Sequence, residues 1–235
     1  MDQKTYYNKL HKGEMRIKRE RMSYVGDRFS DELIRLADIK NNDKILDVGS
    51  GEGCLEVEYN DVLGDKFVVG IDVSVEALKL SKAKYRVVAD AARMPFKSFV
   101  FDKVLSREVI EHLENIDIVN DALSEMNRIL KTGGIASIST PNGNCLIFFF
   151  THMIRGKRNP NPVLHPTMLT KKTLKRVIKN NGFDVELKSY LLPIPVPRYE
   201  YAFPEFIMRY FYYIGRLFPS IAHGFVVKAV KKAKS

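Results

Sequence analysis

Three glycines at alternate positions, Gly49, Gly51 and Gly53, directly follow a short apolar run, Ile45-Leu46-Asp47-Val48. No other feature constrains the chain as much. An apolar run of this length suits a strand buried on both faces of a parallel sheet. Glycines spaced by two let the backbone turn through positive φ and keep side chains out of the way of a ligand. Glu52 to Leu63 is helix-compatible. The order predicts a strand, a glycine turn and a helix, whose free N–H groups face whatever lies over the turn. A tight turn without a ligand is written in the same letters, so the neighbouring sequence has to decide.

Lys66-Phe-Val-Val-Gly-Ile-Asp72 reads as a second buried strand that ends in an acid. Asp72 lies about twenty residues past the glycines, the spacing at which a carboxylate at the end of strand two reaches a pair of ribose hydroxyls. A third strand, Tyr85 to Ala89, ends in Asp90. Three consecutive strands thus end at an acid (Asp47, Asp72, Asp90) on the carboxyl edge where open α/β sheets bind ligands. A helix capped by Ser74 links strands two and three. Strand four, Phe101 to Leu105, opens into Ser106-Arg-Glu-Val-Ile-Glu-His112. A helix from Ile116 to Lys131, stopped by Gly133-Gly134, leads to strand five, Ile135 to Ser139.

At this point the chain resembles the class I S-adenosylmethionine-dependent methyltransferases, most closely the small-molecule branch with the ubiquinone and menaquinone methyltransferases. The resemblance is carried in order by Ile45–Gly53, Gly70–Ser74, Ala89–Ala91, Met94–Phe96, Phe101–Val104, Val109–Leu113, Arg128–Gly134 and Ser139–Asn142. It implies a Rossmann-like α/β fold: a seven-stranded, mostly parallel sheet with an antiparallel C-terminal strand and helices on both faces. It also implies S-adenosylmethionine as cofactor and S-adenosylhomocysteine as product. Asp47, Gly49, Ser50 and Gly51 would then hold the methionine end, Asp72 the ribose, and Val73, Asp90 and Ala91 the adenine, with Arg107 also in the cofactor set. His112 is the first candidate base for a hydroxyl acceptor and His165, in the loop before the next helix, the second. Either histidine has an alternative reading, His112 as packing at a helix start and His165 as loop surface. No metal site is expected.

At 235 residues the chain suits a single domain. Its expected parts are an N-terminal helical lid (1–40), a cofactor-binding core (41–141), acceptor-side cover elements (142–222) and a final strand with a basic tail (223–235). In the lid, Phe29, Leu33, Ile34 and Leu36 lie at helical spacing, Ser30 with Asp31 would start that helix, and Tyr6, Tyr7 and Tyr24 would line it. Leu169 to Asn181 reads as a basic amphipathic helix ended by Gly182. Phe183–Tyr190 and Gly224–Lys231 read as a pair of strands. Two cysteines, Cys54 and Cys145, offer neither a metal spacing nor a disulfide framework, and the polar start shows no signal peptide; both suit a cytoplasmic setting.

Charge is unevenly placed. Residues 1–141 hold 22 Lys and Arg against 24 Asp and Glu, and residues 142–235 hold 16 against 4. A basic C-terminal part points to an anionic acceptor, a nucleic acid or peripheral contact with an anionic membrane, or else to a solvated basic face. The uncharged run Cys145–Ile154, followed by Arg155, Lys157 and Arg158, is too short to span a bilayer and suits a substrate cover or an interfacial segment. The stripe within 203–218 suits core packing, acceptor lining or lipid contact. The leading expectation is methyl transfer to a small molecule, amphipathic or anionic, such as a quinone precursor, lipid or lipid-linked sugar. An RNA methyltransferase is the first alternative, although strand four lacks an Asn/Asp-Pro-Pro-Tyr motif and there is no Pro-Cys nucleophile. A non-catalytic S-adenosylmethionine-binding protein is the second. A nicotinamide dehydrogenase is disfavoured by the glycine spacing and the lack of a Tyr-x-x-x-Lys pair.

Overall fold

A computed structural model of the chain describes residues 24–145, 165–190, 210, 214, 217–220 and 222–233, with the backbone alone at 24–28 and 189–190. The elements run α1 (Tyr24–Ala37), β1 (Lys44–Val48), α2 (Cys54–Glu58), α3 (Asn60–Leu63), β2 (Phe67–Asp72), α4 (Val75–Leu80), β3 (Tyr85–Val88) and β4 (Phe101–Arg107). A 3-10 turn (Ile110–His112) follows, then α5 (Ile116–Ile129), β5 (Leu130–Pro141), α6 (Lys171–Asn180), β6 (Phe183–Tyr190) and β7 (Gly224–Lys231). They build one seven-stranded sheet in the order β3-β2-β1-β4-β5-β7-β6. β1 to β5 pair in parallel, and β7 runs antiparallel to both β5 and β6, which is the sheet expected from the sequence.

The period of two along each strand decides what the helices cover. Leu46, Val48, Val69, Ile71, Val104 and Ile138 share one face with Leu123 and Met126 of α5 and Leu174 and Val177 of α6. Ile45, Val68, Leu105 and Val226 face the other way, onto Phe29 and Leu33 of α1, Leu55 of α2 and Leu63 of α3. Both faces are dry, which is why the strands read as nearly continuous apolar runs. The chain passes from β1 outward through β2 to β3, then returns to the far side of β1 as β4. The sheet therefore has its topological switch point between β1 and β4, at the carboxyl edge.

Several boundaries differ from those expected. Ser30 lies inside α1, six residues past Tyr24, fully buried, where its Oγ accepts from Arg107 Nη1 (3.1 Å) rather than opening the helix. The segment Glu52–Leu63 forms two helices. Gly53 is left-handed (φ 75°), which delays the first to Cys54, and Tyr59, non-helical at φ −116° and ψ 38°, separates them. The Tyr59 hydroxyl donates to Asp31 on α1 (2.9 Å), a tertiary tether with no local sequence signature.

α5 ends at Ile129, before the glycines, because Leu130 is drawn into the core opposite Phe101 and already belongs to β5. Gly133 (φ 74°) and Gly134 then sit in an irregularity of β5 where the register against β4 shifts. β4 runs on to Arg107, two residues past the expected end. α6 is capped by Thr170, whose Oγ1 accepts from Thr173 N (3.3 Å), and is followed by left-handed Gly182.

Candidate functional site

The turn after β1 is built as its letters require. Gly49 (φ 69°) and Gly51 (φ 55°) are both left-handed. A Cβ on Gly49 would lie 2.5 Å from Val109 Cγ2, so glycine is needed there for space as well as for φ. A Cβ on Gly51 would meet nothing within 4 Å, so the bare backbone faces an open cleft. Ser50 N donates to Ile71 O (2.9 Å), and Asp72 fixes the rest. Its carboxylate accepts from Gly51 N (3.0 Å) through one oxygen and from Ser74 N (2.8 Å) through the other, tying the turn after β1 to the turn after β2. Val73 is half-buried beside it. Ala89 N donates to Asp72 O (3.1 Å), which brings the end of β3 alongside. There exposed Asp90 accepts from Ala92 N (2.8 Å), with Ala91 buried between them. The three strand-end acids thus share one edge of the sheet.

Charge in this corner is unbalanced. Asp47 is buried, and loss of hydration, then repulsion from Glu56, pushes its carboxyl well above the usual range. Both carboxylate oxygens of Glu56 and the hydroxyls of Ser50 and Ser106 are buried without a hydrogen-bond partner among the described residues. Arg107 is the compensating cation. Its Nη1 donates to Glu58 Oε2 (2.9 Å) and to Ser30 Oγ, so the guanidinium lies between α1 and α2 and acts on Asp47 and Glu56 by its charge.

The segment after β4 supplies the other wall. Glu108 is a non-glycine residue in the left-handed region (φ 55°), with its N–H directed at Ser139 O and Oγ (3.2 Å each). Val109 seats on Gly49, and the 3-10 turn follows. Glu111 is fully buried. Its Oε2 accepts from Thr140 Oγ1 (3.1 Å), and its Oε1, 3.9 Å from His112 Nε2, has no hydrogen-bond partner among the described residues. The rings of His112 and His165 stand 4.9 Å apart, tilted by 55°. Thr167 holds the two segments together, donating from N to Glu111 O (3.2 Å) and from Oγ1 to Leu113 O (2.6 Å). Burial lowers the His165 pKa, which favours the neutral ring.

Burial, then the charge of Glu108, raises the Glu111 carboxyl well above its usual range, whereas Glu108 itself is exposed to solvent. Sequence reasoning singled out the two histidines, which the fold brings together, but passed over the two glutamates. The spacing Glu108-x-x-Glu111-His112 was the available signal.

Beyond β5, Asn142 is buried and donates to Ser220 O (3.1 Å) and Ala222 O (2.9 Å). Next to it is a cavity of about 270 Å³ lined by Asn144, Thr170, Lys171, Lys172, Lys175 and Ser220. Among the described residues there is no group of three or more His, Cys, Asp or Glu placed to hold a metal ion, and no helix long and apolar enough to cross a membrane. The basic stretch near the N-terminus, Tyr6 and Tyr7, residues 146–164 and most of 203–218 lie outside the described residues, as does the Tyr24 side chain.

The strand order, the glycine turn at the switch point and the acids along its edge define a Rossmann-like fold with a ligand-binding edge. The methyltransferase-domain family matches residues 46–138. Uncharacterized protein MJ1252 of Methanocaldococcus jannaschii is 30% identical over 191 residues, 80% of this chain and 70% of that protein. The ubiquinone/menaquinone biosynthesis C-methyltransferase UbiE of Teredinibacter turnerae is 29% identical over 127 residues, and that alignment spans 48% of this chain and 50% of the relative. A SAM-dependent methyltransferase from Archaeoglobus fulgidus shares the fold with a TM-score of 0.60 and 20% identity, over 88% of this chain and 93% of that one. The chain belongs to the class I S-adenosylmethionine-dependent methyltransferases, and its cofactor is S-adenosylmethionine. The corner fits a cationic ligand of this kind, with acids short of positive charge and an open glycine backbone.

Proposed function

We propose that the protein methylates a hydroxyl-bearing small molecule, with the cofactor held along the β1–β3 edge and the acceptor held against the His112–His165 pair. One observation carries this reading. Val109 packs on Gly49 of the cofactor turn, and three residues further on His112 meets His165. This adjacency supports placing the acceptor beside the imidazole pair. In this reading Asp47, Gly49, Ser50 and Gly51 hold the methionine end of the cofactor, Asp72 the ribose, and Val73, Asp90 and Ala91 the adenine. Arg107 supports the corner by its charge rather than by reaching the ligand.

S-adenosylmethionine, when bound, supplies an electrophilic methyl group on a sulfonium. The chain's own work is to bind, align and exclude water, and to take the hydroxyl proton at an imidazole nitrogen. A neutral His165, favoured by its burial, suits that last task. α6 bears Lys171, Lys172, Lys175, Arg176 and Lys179 with no acid, and an anionic or amphipathic acceptor would lay its charged end there.

Calorimetry with S-adenosylmethionine, S-adenosylhomocysteine and NADH tests the cofactor assignment, with Asp72→Ala as control. Micromolar binding of the two sulfur compounds alone, weakened in the variant, is expected. Transfer of labelled methyl to quinone precursors, lipids or lipid-linked sugars, and to RNA, then separates the acceptor classes. Labelling of RNA alone would overturn the small-molecule reading.

A further inference from the structure

We infer that the cavity beyond β5 is an anion seat for a terminal phosphate group, a phosphomonoester, carried by the acceptor. The inference rests on the reading above, in which the acceptor lies beside the His112–His165 pair, and it names the group that anchors the acceptor's far end. The cavity, about 270 Å³, is lined by Asn144, Thr170, Lys171, Lys172, Lys175 and Ser220, so it holds three cations and no acid. None of the three lysines has an ion-pair partner among the described residues, although Lys171 and Lys175 are half-buried. Lys40, Lys79, Lys103, Lys131, Lys188 and Lys232, by contrast, each face a carboxylate. Three like charges around one hollow repel one another, and an anion seated among them removes that cost.

The walls come from three parts of the chain, and the fold pins all three. Asn142 Nδ2 donates to Ser220 O and Ala222 O, which brings the segment before β7 to the end of β5. Asn142 Oδ1 accepts from Asn144 N (3.0 Å) and so sets the turn that carries Asn144. Gly143 N donates to Leu169 O (3.0 Å), and a Cβ on Gly143 would stand 2.9 Å from Met168 O. The approach to α6 therefore passes too close to this turn for a side chain. Backbone contacts frame the hollow.

Size, chemistry and place select the ligand. The volume lies below the roughly 300–1,000 Å³ usual for a whole small molecule, so the cavity takes a head group. Lysine ammonium groups are point charges with three donors and suit a tetrahedral oxyanion, whereas arginine, with its planar fork, is absent from the lining. A phosphodiester has to leave the hollow along two chains. A monoester leaves along one and brings roughly two negative charges at neutral pH. β5 stands two strands from β1, roughly 10 Å across the sheet, which separates the seat from the cofactor edge. Thr170 is five residues past His165, which bounds their separation at roughly 17 Å. An acceptor of small-molecule length spans from the seat to the imidazole pair.

The test is calorimetry with phosphorus NMR on the full chain saturated with S-adenosylhomocysteine, at constant ionic strength. Inorganic phosphate and glycerol 3-phosphate should bind at one site, and dimethyl phosphate and acetate at least about fivefold more weakly. Lys171→Gln and Lys175→Gln should each weaken glycerol 3-phosphate binding about tenfold. Lys179→Gln, on the same helix but outside the cavity lining, should change it less than about twofold. Retained S-adenosylhomocysteine binding shows each variant to be folded. An effect of Lys179→Gln as large as that of Lys175→Gln would mean diffuse attraction to the helix and overturn the inference. Equal binding of dimethyl phosphate would overturn it as well. No phosphate binding by a chain that holds S-adenosylhomocysteine would overturn it and leave the methyltransferase reading intact. Loss of S-adenosylhomocysteine binding by the wild type would overturn that reading, and this inference with it.

Discussion

The carboxylate of Asp72 accepts from the backbone N–H of Gly51 at 3.0 Å, a bond between residues twenty-one apart that joins the turns after β1 and β2. Its second oxygen accepts from Ser74 N, at the start of α4. One side chain thus sets the geometry of two loops that border the cofactor corner. Asp72→Ala removes both charge-assisted bonds and should weaken S-adenosylhomocysteine binding about tenfold or more, roughly 1.5 kcal/mol, as calorimetry would show. Asp72→Asn, which keeps an acceptor oxygen for only one of the two N–H groups, should fall between.

Gly49 joins the turn after β1 to the segment after β4 through Val109. Gly49→Ala places a methyl group 2.5 Å from Val109 Cγ2 at a φ of 69°, so it meets steric and backbone strain together. A loss of ~2–4 kcal/mol in urea unfolding is expected. Adding Val109→Ala should recover the steric part and leave the backbone part. Full recovery would mean that φ at this position is not under constraint.

Lys231, near the end of β7, donates from Nζ to Asn127 O (2.5 Å) and Leu130 O (2.7 Å), the last carbonyls of α5 and its exit, with Phe99 4.0 Å away. A cation at a helix C-terminus with two buried hydrogen bonds explains how a lysine can be so well buried. Lys231→Met keeps the aliphatic volume, strands the two carbonyls and should cost ~2–3 kcal/mol in chemical denaturation.

His223 gives the fold an acid-sensitive point. Burial lowers its pKa to about 4, while the unfolded chain titrates near 6.5. Between those values the unfolded state binds a proton that the folded state refuses. This contribution to stability is therefore complete above about pH 6.5, falls as pH drops towards 4, and levels below it. The ring keeps some contact with solvent, so ~2–3 kcal/mol is expected across the window. A His223→Gln variant should lose that part of the slope in melting temperature between pH 4 and 7. An unchanged slope would assign the acid sensitivity elsewhere.

Much of the fold could be read in advance because the cofactor corner is local in sequence. Apolar runs in 45–48 and 67–71, the left-handed glycines 49, 51 and 53 and acids at the strand ends each depend on a few neighbouring residues, and the structure keeps all of them. The type of sheet, seven strands and mostly parallel with an antiparallel C-terminal strand, was implied by the family resemblance, and the strand order came with the structure.

The misplaced boundaries have distant causes. Tyr59 interrupts a helix while tied to Asp31 twenty-eight residues earlier. Leu130 leaves its helix early because the core opposite Phe101 needs it. Local propensity holds no record of either partner. The segment after β4 shows the same division most clearly. The sequence by itself marked His112 and His165 as separate candidates, fifty-three residues apart. Only the folded chain, with Thr167 bound across Glu111 and Leu113, sets their rings 4.9 Å apart, with the buried Glu111 carboxyl 3.9 Å from His112 Nε2. Burial is a property of assembled surfaces, so the surroundings of that carboxyl were decided by tertiary structure alone.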